Sequence, residues 1–366
     1  MKIFFSNFDD MNNPCYGGGG AIAVHEIAKR LAKNHEVTVI TGSYPKCKNL
    51  FKDGVNYKRI GFHLLGPRLS QLIYQFLLPF QLKDDFDVWI ESFTPPFSSA
   101  FLPFFTSKPI VGLTQLLGGK AMTNKYKIPF TKIEDLALKH YTNLIAITPE
   151  LKKTLLIKSP RAEVKLIPNG FTRDEYLNKD NLERKHILYI GRFDIHQKGI
   201  DLLLESYKKV ASSIAYPMLL AGHGSQQEVN YIKRLIHEYK LNSKVKIVGH
   251  ARNSKKEKLF KEAVVTVIPS RFESFGIVVL EAFHYKSPVI CFDIDGFAWI
   301  PTNLATKIMP YDTAMFGQEM ERLTSIKLRS QNILDAYNFS KKYSWETSAK
   351  EYEKYLISIV SGSNKI

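Results

Sequence analysis

Twice along this chain, short β-branched runs alternate with stretches of helical spacing, and that alternation leaves few folds open. In the first half, residues 3–5, 36–41, 56–60, 87–91, 109–113 and 143–148 read as strands. Residues 21–33 set Ile22, Val24, Ile27, Ala28 and Leu31 at helical spacing. Residues 69–82 place apolar side chains at 69, 72, 73, 76, 77 and 80, which is one helical face, and residues 149–156 open a helix with Pro149 in its first turn. Residues 164–171 read as a short strand that stops at Asn169-Gly170, a sharp breaker. A polar stretch over 172–185 then leads into a second series: strands at 186–190, 217–221, 245–248 and 264–268, with helices at 200–211, 228–239 and 255–262. The expected architecture is α/β: two Rossmann-like, doubly wound domains, 1–169 and 170–342, with ligand bound in the cleft between them. At 366 residues the chain is long enough for two cores, and with 23% charged residues its composition is that of a globular protein.

Residues 269–281 carry the strongest functional signal. They read Pro-Ser-Arg-Phe-Glu-Ser-Phe-Gly-Ile-Val-Val-Leu-Glu and follow the β-branched run Ala263–Ile268. A helix is expected from there through Tyr285, and Ser287-Pro288-Val289-Ile290 starts the next strand. Glu273 therefore sits on a loop at the C-terminal end of a strand, the edge where open α/β sheets bind ligands. Glu281 falls about two turns into the helix. The Ser274-Phe275-Gly276 turn exposes backbone N–H groups at a helix N-terminus, which suits a phosphate. A carboxylate on either side can accept hydrogen bonds from hydroxyls. A ligand with phosphate in the middle and a hydroxylated ring at each end fits this pattern, and a nucleotide sugar has that shape. Two glutamates eight apart in a basic chain are ordinarily solvated charges. Here Pro269, Ser270, Phe275 and Gly276 place turn chemistry around the pair, and other segments fit the same ligand.

Gly17-Gly18-Gly19-Gly20 lies between the first strand and the first helix, where glycines let backbone approach a ligand closely. A flexible loop without a ligand is the alternative, and the run is not a GxGxxG fingerprint. Gly191-Arg192-Phe193 follows the strand 186–190, and Lys198-Gly199 precedes the next helix. An Arg and a Lys on one strand-to-helix loop can clamp a diphosphate. Gly222-His223-Gly224 and Gly249-His250 end two further strands, where backbone could pass near a nucleobase. No HxxxH pattern occurs, and no catalytic metal and no cofactor is expected.

The net charge of +16 calls for an anionic partner. No aromatic-interleaved RNA motif or zinc finger appears, so nucleic acid is not expected, and a peripheral contact with an anionic membrane surface fits better. Cys15, Cys47 and Cys291 lie far apart without a CxxC, which argues against structural zinc and a disulfide framework and for a reducing, cytoplasmic setting. Residues 1–5 lack the apolar region of a signal peptide, and the apolar stretch 72–80 is interrupted by Gln75 and too short to span a bilayer.

Taken in order, these segments resemble the GT-B glycosyltransferases, and within them the large family 4 of retaining enzymes. The resemblance runs through Gly18-Gly19, Ile167-Pro168-Asn169-Gly170, Gly191-Arg192, Lys198-Gly199-Ile200-Asp201, Ala221-Gly222-His223-Gly224, residues 269–281, and Tyr343-Ser344-Trp345. It implies a retaining transfer of a sugar from a nucleotide-diphosphate sugar, UDP- or GDP-linked, to a hydroxyl of a glycan or lipid-linked acceptor without a metal. Arg192 and Lys198 would neutralise the leaving diphosphate. Glu273 would bind hydroxyls of the transferred sugar, the backbone at Ser274, Phe275 and Gly276 would hold sugar and phosphate, and Glu281 would bind the ribose. Gly18 and Gly19 would close on the diphosphate from the other domain. A last helix, near residues 345–357 of a 343–366 segment, would cross back onto the first domain.

The chain departs from the family at Thr114-Gln115, where many members carry a His facing the acceptor, and neither residue is a general base near neutral pH. Acceptor binding is expected on the surrounding surface. There Lys120, Lys125, Lys127, Lys132 and Lys139 outnumber Glu134 and Asp135 and interleave with Leu116, Leu117, Met122, Tyr126, Ile128 and Phe130. That mixture suits an anionic leaflet and a lipid-linked acceptor, or equally a solvated helix flank beside core residues. Two other functions stay open: a sugar-nucleotide epimerase or hydrolase on the same fold, and a nucleotide-sugar-binding protein that has lost activity.

Overall fold

A computed structural model describes residues 1–13, 18–64, 66–83, 85–94, 97–172, 183–325 and 330–363. Cys15, Gly17 and most of the polar stretch 172–185 lie outside the described residues. The chain forms two compact units, Met1–Gly170 with Ser344–Ile366, and Phe171–Tyr343.

The first unit runs β1 (Lys2–Ser6), α1 (Gly19–Leu31), β2 (Glu36–Gly42), β3 (Leu50–Lys52), β4 (Val55–Ile60), α2 (Pro67–Leu77), β5 (Val88–Ser92), β6 (Ile110–Thr114), α3 (Gly119–Tyr126), α4 (Phe130–Leu138), β7 (Asn143–Ala146), α5 (Pro149–Lys158) and β8 (Glu163–Leu166). Its sheet has the order β3-β4-β2-β1-β5-β6-β7-β8. All neighbours are parallel except β3 and β4. That antiparallel edge hairpin turns on Asp53-Gly54, both at positive φ (53° and 78°), the backbone a two-residue hairpin requires. The apolar face expected over 69–82 is not one helix. α2 stops at Leu77, and Leu78–Lys83 tightens into a 3₁₀ segment around Pro79, which has no N–H to continue the α-helical ladder. β1 and β5 are buried nearly throughout, and Phe4, Trp89 and Phe86 pack as an aromatic cluster between the sheet and its helices.

The second unit runs β9 (His186–Ile190), α6 (Ile195–Lys198), α7 (Ile200–Val210), β10 (Met218–Ala221), α8 (Gln226–Glu238), β11 (Val245–Gly249), α9 (Asn253–Lys261), β12 (Ala263–Ile268), α10 (Ile277–His284), β13 (Val289–Phe292), β14 (Thr306–Ile308), α11 (Thr313–Ser325) and α12 (Ser330–Ser340). Its six strands are all parallel, in the order β11-β10-β9-β12-β13-β14. The chain winds outward from β9 to β11, then crosses to β12 and winds the other way. The C-terminal ends of β9 and β12 therefore flank the reversal point, where doubly wound sheets hold nucleotides. Leu203, Tyr207, Leu220, Ile232, Val265 and Phe316 form the core on one face of this sheet.

The last helix, α13 (Trp345–Ser363), belongs to the first unit and lies along α1. Arg30 donates from Nε to Glu346 at 2.9 Å, His35 meets Glu353 at 2.8 Å, and Ser348 donates to the Pro168 carbonyl at 2.7 Å. Gly170 is required at this junction, because a Cβ there would stand 2.2 Å from the Trp345 nitrogen.

Candidate active site

Lys198 and Glu273, 75 residues apart in sequence, meet at the β9/β12 edge. The Lys198 ammonium donates to Glu273 Oε1 at 2.5 Å, and the Ser270 hydroxyl donates to the same oxygen at 2.8 Å. The two side chains are 19% and 10% exposed, so the pair is mostly sheltered from water and little screened. Local chemistry places them. Asp194 caps the single turn α6 by accepting from the Gln197 N–H at 2.9 Å, and Gly199, at φ 64°, ends it directly after Lys198. Arg192 stands on the same loop but outside the pair. Its Nη2 donates to Gln197 Oε1 at 2.7 Å, and its side chain is more than a third exposed.

A latch that the sequence reading missed joins the two loops. Arg271 donates through both Nη atoms to the two Asp201 carboxylate oxygens, at 2.9 and 2.7 Å, and through Nη1 to the Ile195 carbonyl at 2.7 Å. The pairing to Asp201 raises its already high pKa further. The Arg271 N–H adds a bond to the Gln197 carbonyl at 2.9 Å. Backbone approaches close the rest of the seam: a Cβ on Gly199 would lie 2.1 Å from the Pro269 oxygen, and one on Gly296 would lie 2.0 Å from the Glu273 oxygen.

Beyond Glu273 the chain turns through Ser274, Phe275 and Gly276, which caps α10 at φ 74°. Phe275 is buried and stacked on Trp299 at 4.5 Å, and the Trp299 indole donates to the Phe275 carbonyl at 3.0 Å. The Phe275 side chain therefore anchors the turn, and its backbone alone is left for a ligand. The first N–H groups of α10 have no partner within the helix. Glu281 is the fifth residue of α10, a little over one turn in, because the helix starts at Ile277 rather than at the turn itself. Lys256 of α9 donates to Glu281 at 2.5 Å, a partner that sequence spacing did not disclose.

In the first unit, Gly18 caps α1 and Gly19 begins it, both with ordinary φ. A Cβ on Gly19 would meet nothing within 4 Å, and one on Gly18 only Asp9 at 3.9 Å. The fold itself does not demand glycine at either place. Gln115, just after β6, reaches the same loop: its Nε2 lies 3.5 Å from the Gly20 carbonyl. Thr114 is fully buried, and its hydroxyl has no hydrogen-bond partner among the described residues. Its side chain therefore points into the unit, and Gln115 is the member of that pair beside the glycine loop.

Two buried carboxylates shape the neighbouring loops. Glu134 is no surface counter-charge to the lysines around it: it accepts from Ser98 Oγ at 2.5 Å and from the Gly119 N–H at 2.8 Å. Glu91, its pKa raised by burial, accepts from the Ala100 N–H at 2.5 Å and from the Tyr141 hydroxyl. Phe130 is likewise core, not surface. Among the described residues no three His, Cys, Asp or Glu side chains gather as a metal-binding group.

Two doubly wound units of this kind give the GT-B fold, and solved structures with that fold match nearly the whole chain. Sucrose-phosphate synthase from Thermosynechococcus elongatus does so with a TM-score of 0.82 at 19% identity, covering 99% of this chain and 100% of its own. Anabaena HepE, solved with UDP and glucose, gives 0.74 at 15% identity, covering 98% of this chain and 100% of its own. The chain belongs to glycosyltransferase family 4: residues 17–175 match Glycosyltransferase Family 4, and residues 172–335 match glycosyl transferases group 1. An uncharacterized glycosyltransferase of Methanocaldococcus jannaschii is 27% identical over 91% of this chain and 93% of its own. The phosphatidyl-myo-inositol mannosyltransferase of Mycobacterium tuberculosis is 28% identical over 36% of this chain and 35% of its own.

Proposed function

We propose that this glycosyltransferase moves a sugar, with retention, from a UDP- or GDP-sugar to a hydroxyl of a glycan or lipid-linked acceptor, with protein cations in place of a metal. The Lys198–Glu273 pair at the β9/β12 edge carries the reading. As the glycosidic bond to the diphosphate breaks, negative charge grows on the leaving oxygen. Lys198 and Arg192 stabilise it there. Glu273 accepts hydrogen bonds from hydroxyls of the transferred sugar. Its Oε1 already takes bonds from Lys198 and Ser270, which suits a hydrogen-bonding group better than a nucleophile. The acceptor hydroxyl attacks from the face the phosphate leaves, and a phosphate oxygen takes its proton. Glu281, positioned by Lys256, receives the ribose hydroxyls. The room left at Gly18 and Gly19 lets backbone approach the diphosphate.

Thermal-shift screening against UDP-, GDP- and ADP-sugars tests this. A ligand that binds the folded state alone raises the melting temperature by mass action. Stabilisation by one UDP- or GDP-sugar, lost in Lys198→Ala, is the expected result. A native protein unmoved by the whole panel would overturn the donor assignment.

The acceptor side extends the reading. Lys120, Lys125, Lys127, Lys132 and Lys139 are all exposed on α3, α4 and their flanks, beside exposed Tyr126, Ile128 and Leu136. No helix among the described residues is long and apolar enough to cross a membrane. We read this surface as a peripheral contact with an anionic leaflet on the cytoplasmic side, bringing the enzyme to a lipid-linked acceptor. The similarity to a mycobacterial phosphatidyl-myo-inositol mannosyltransferase supports this. Co-sedimentation should be stronger with anionic than with neutral vesicles, and equal binding to both would remove the membrane from the proposal.

A further inference from the structure

At the ends of β10 and β11, two neighbouring strands on the nucleotide edge, His223 and His250 face each other with Nδ1 atoms 2.8 Å apart. Arg252 donates from Nε to His250 Nε2 at 2.7 Å. Donor and acceptor identities then follow one after another. An arginine Nε can only donate, so His250 Nε2 must be the bare nitrogen. A neutral imidazole keeps one proton, so His250 carries it on Nδ1 and donates to His223 Nδ1. His223 is left with its proton on Nε2, which makes no hydrogen bond to a described residue. Arg252, His250 and His223 thus form a one-way chain that ends in a neutral N–H donor.

The surroundings of His250 disfavour its protonation. Burial, His223, Arg252, Lys256 and Lys255 all hold His250 below the ordinary histidine range. The nearby carboxylates are engaged elsewhere, Glu281 by Lys256 and Glu228 by the N–H and hydroxyl of Ser225. The chain is also tied to the catalytic loop. The Phe193 N–H, next to Arg192, donates to the His223 carbonyl at 2.7 Å. A Cβ on Gly222 would lie 1.8 Å from the Gly191 oxygen, so the two loops pack backbone to backbone with no room for a side chain.

We infer that His223 is a positioning and specificity residue: its Nε2–H, set by His250 and Arg252, donates to an oxygen acceptor of the bound nucleotide. The inference rests on reading this edge as the nucleotide site. A fixed neutral donor selects a carbonyl or phosphoryl oxygen and disfavours an exocyclic amino group at the same place, so it favours uracil or guanine over adenine if the acceptor is on the base.

The test is proton–nitrogen correlation NMR of histidine-labelled full-length protein, alone and with uridine, guanosine or inorganic pyrophosphate. The expected free-state pattern is His250 protonated on Nδ1 and His223 on Nε2, with the His223 assignment lost or mixed in Arg252→Met. A shift of the His223 Nε2–H signal with a nucleoside places the acceptor on the base, and a shift with pyrophosphate places it on the phosphates. Either supports the inference, and His223→Phe should then weaken the responding probe about tenfold. The opposite tautomers, or a His223 signal unmoved by all three probes, overturn it. Failure of the glycosyltransferase reading would look different: no sugar-nucleotide turnover, with the His223 response intact.

Discussion

Lys198→Ala is expected to lower kcat by about 10²–10³, the usual cost of removing one group aimed at developing charge. The ammonium is held at 2.5 Å from Glu273 before any ligand arrives, so its place is set by the fold rather than found during reaction. On the proposed assignment, removing it takes away a cation that stabilises the leaving diphosphate. It also leaves the Glu273 carboxylate, 10% exposed, without a counter-charge. Both effects act on one step, so Glu273→Ala in the same background should add much less than it costs alone. Lys198→Arg should not restore the rate, because a planar fork cannot occupy the place of a compact ammonium. Steady-state kinetics beside circular dichroism of each variant checks this, and a folded Lys198→Ala enzyme within a few-fold of native kcat would remove Lys198 from the mechanism.

Gly199→Ala should cost about 3 kcal/mol of unfolding free energy. The new Cβ would stand 2.1 Å from the Pro269 oxygen, on a residue already at φ 64°. Relief requires pushing apart the loops that carry Lys198 and Glu273, so activity should fall with stability. Gly19→Ala makes the contrast. Its Cβ meets nothing within 4 Å and its φ is ordinary, so stability should be unchanged or slightly raised while nucleotide-sugar affinity falls. Chemical denaturation with donor titration separates the two glycines. Equal stability losses in both variants would mean that neither is explained by its surroundings.

Much of this was legible in the sequence because the relevant signals are local. The run 186–190 matches β9 residue for residue, since a β-branched stretch between polar ones leaves little choice of ends. The alternation of strands and helices fixed the class of fold, and the turn at 274–276 fixed the edge on which Glu273 stands. Other features were not local. Strand order depends on which parallel strands pair across crossovers, and no periodicity encodes it. The Arg271–Asp201 latch and the Lys256–Glu281 pair join residues 70 and 25 apart, so they appear only once the sheet is wound. Over 69–82 the apolar spacing continues past Pro79, but the α-helical ladder does not. The β3–β4 hairpin is encoded locally, because Asp53-Gly54 is a strong two-residue turn signal.

One consequence of the chain path concerns the order in which the molecule can be made. The second unit is a continuous segment, Phe171–Tyr343, whereas the first is interrupted by it and resumes at Ser344. On the ribosome, β1 to β8 are therefore released long before α13, the helix that pairs Glu346 and Glu353 with Arg30 and His35 of α1. The second unit can complete itself as it emerges. The first must wait with the α13-facing side of α1 uncovered until the second has been synthesised, so the half that begins translation is the last to be sealed.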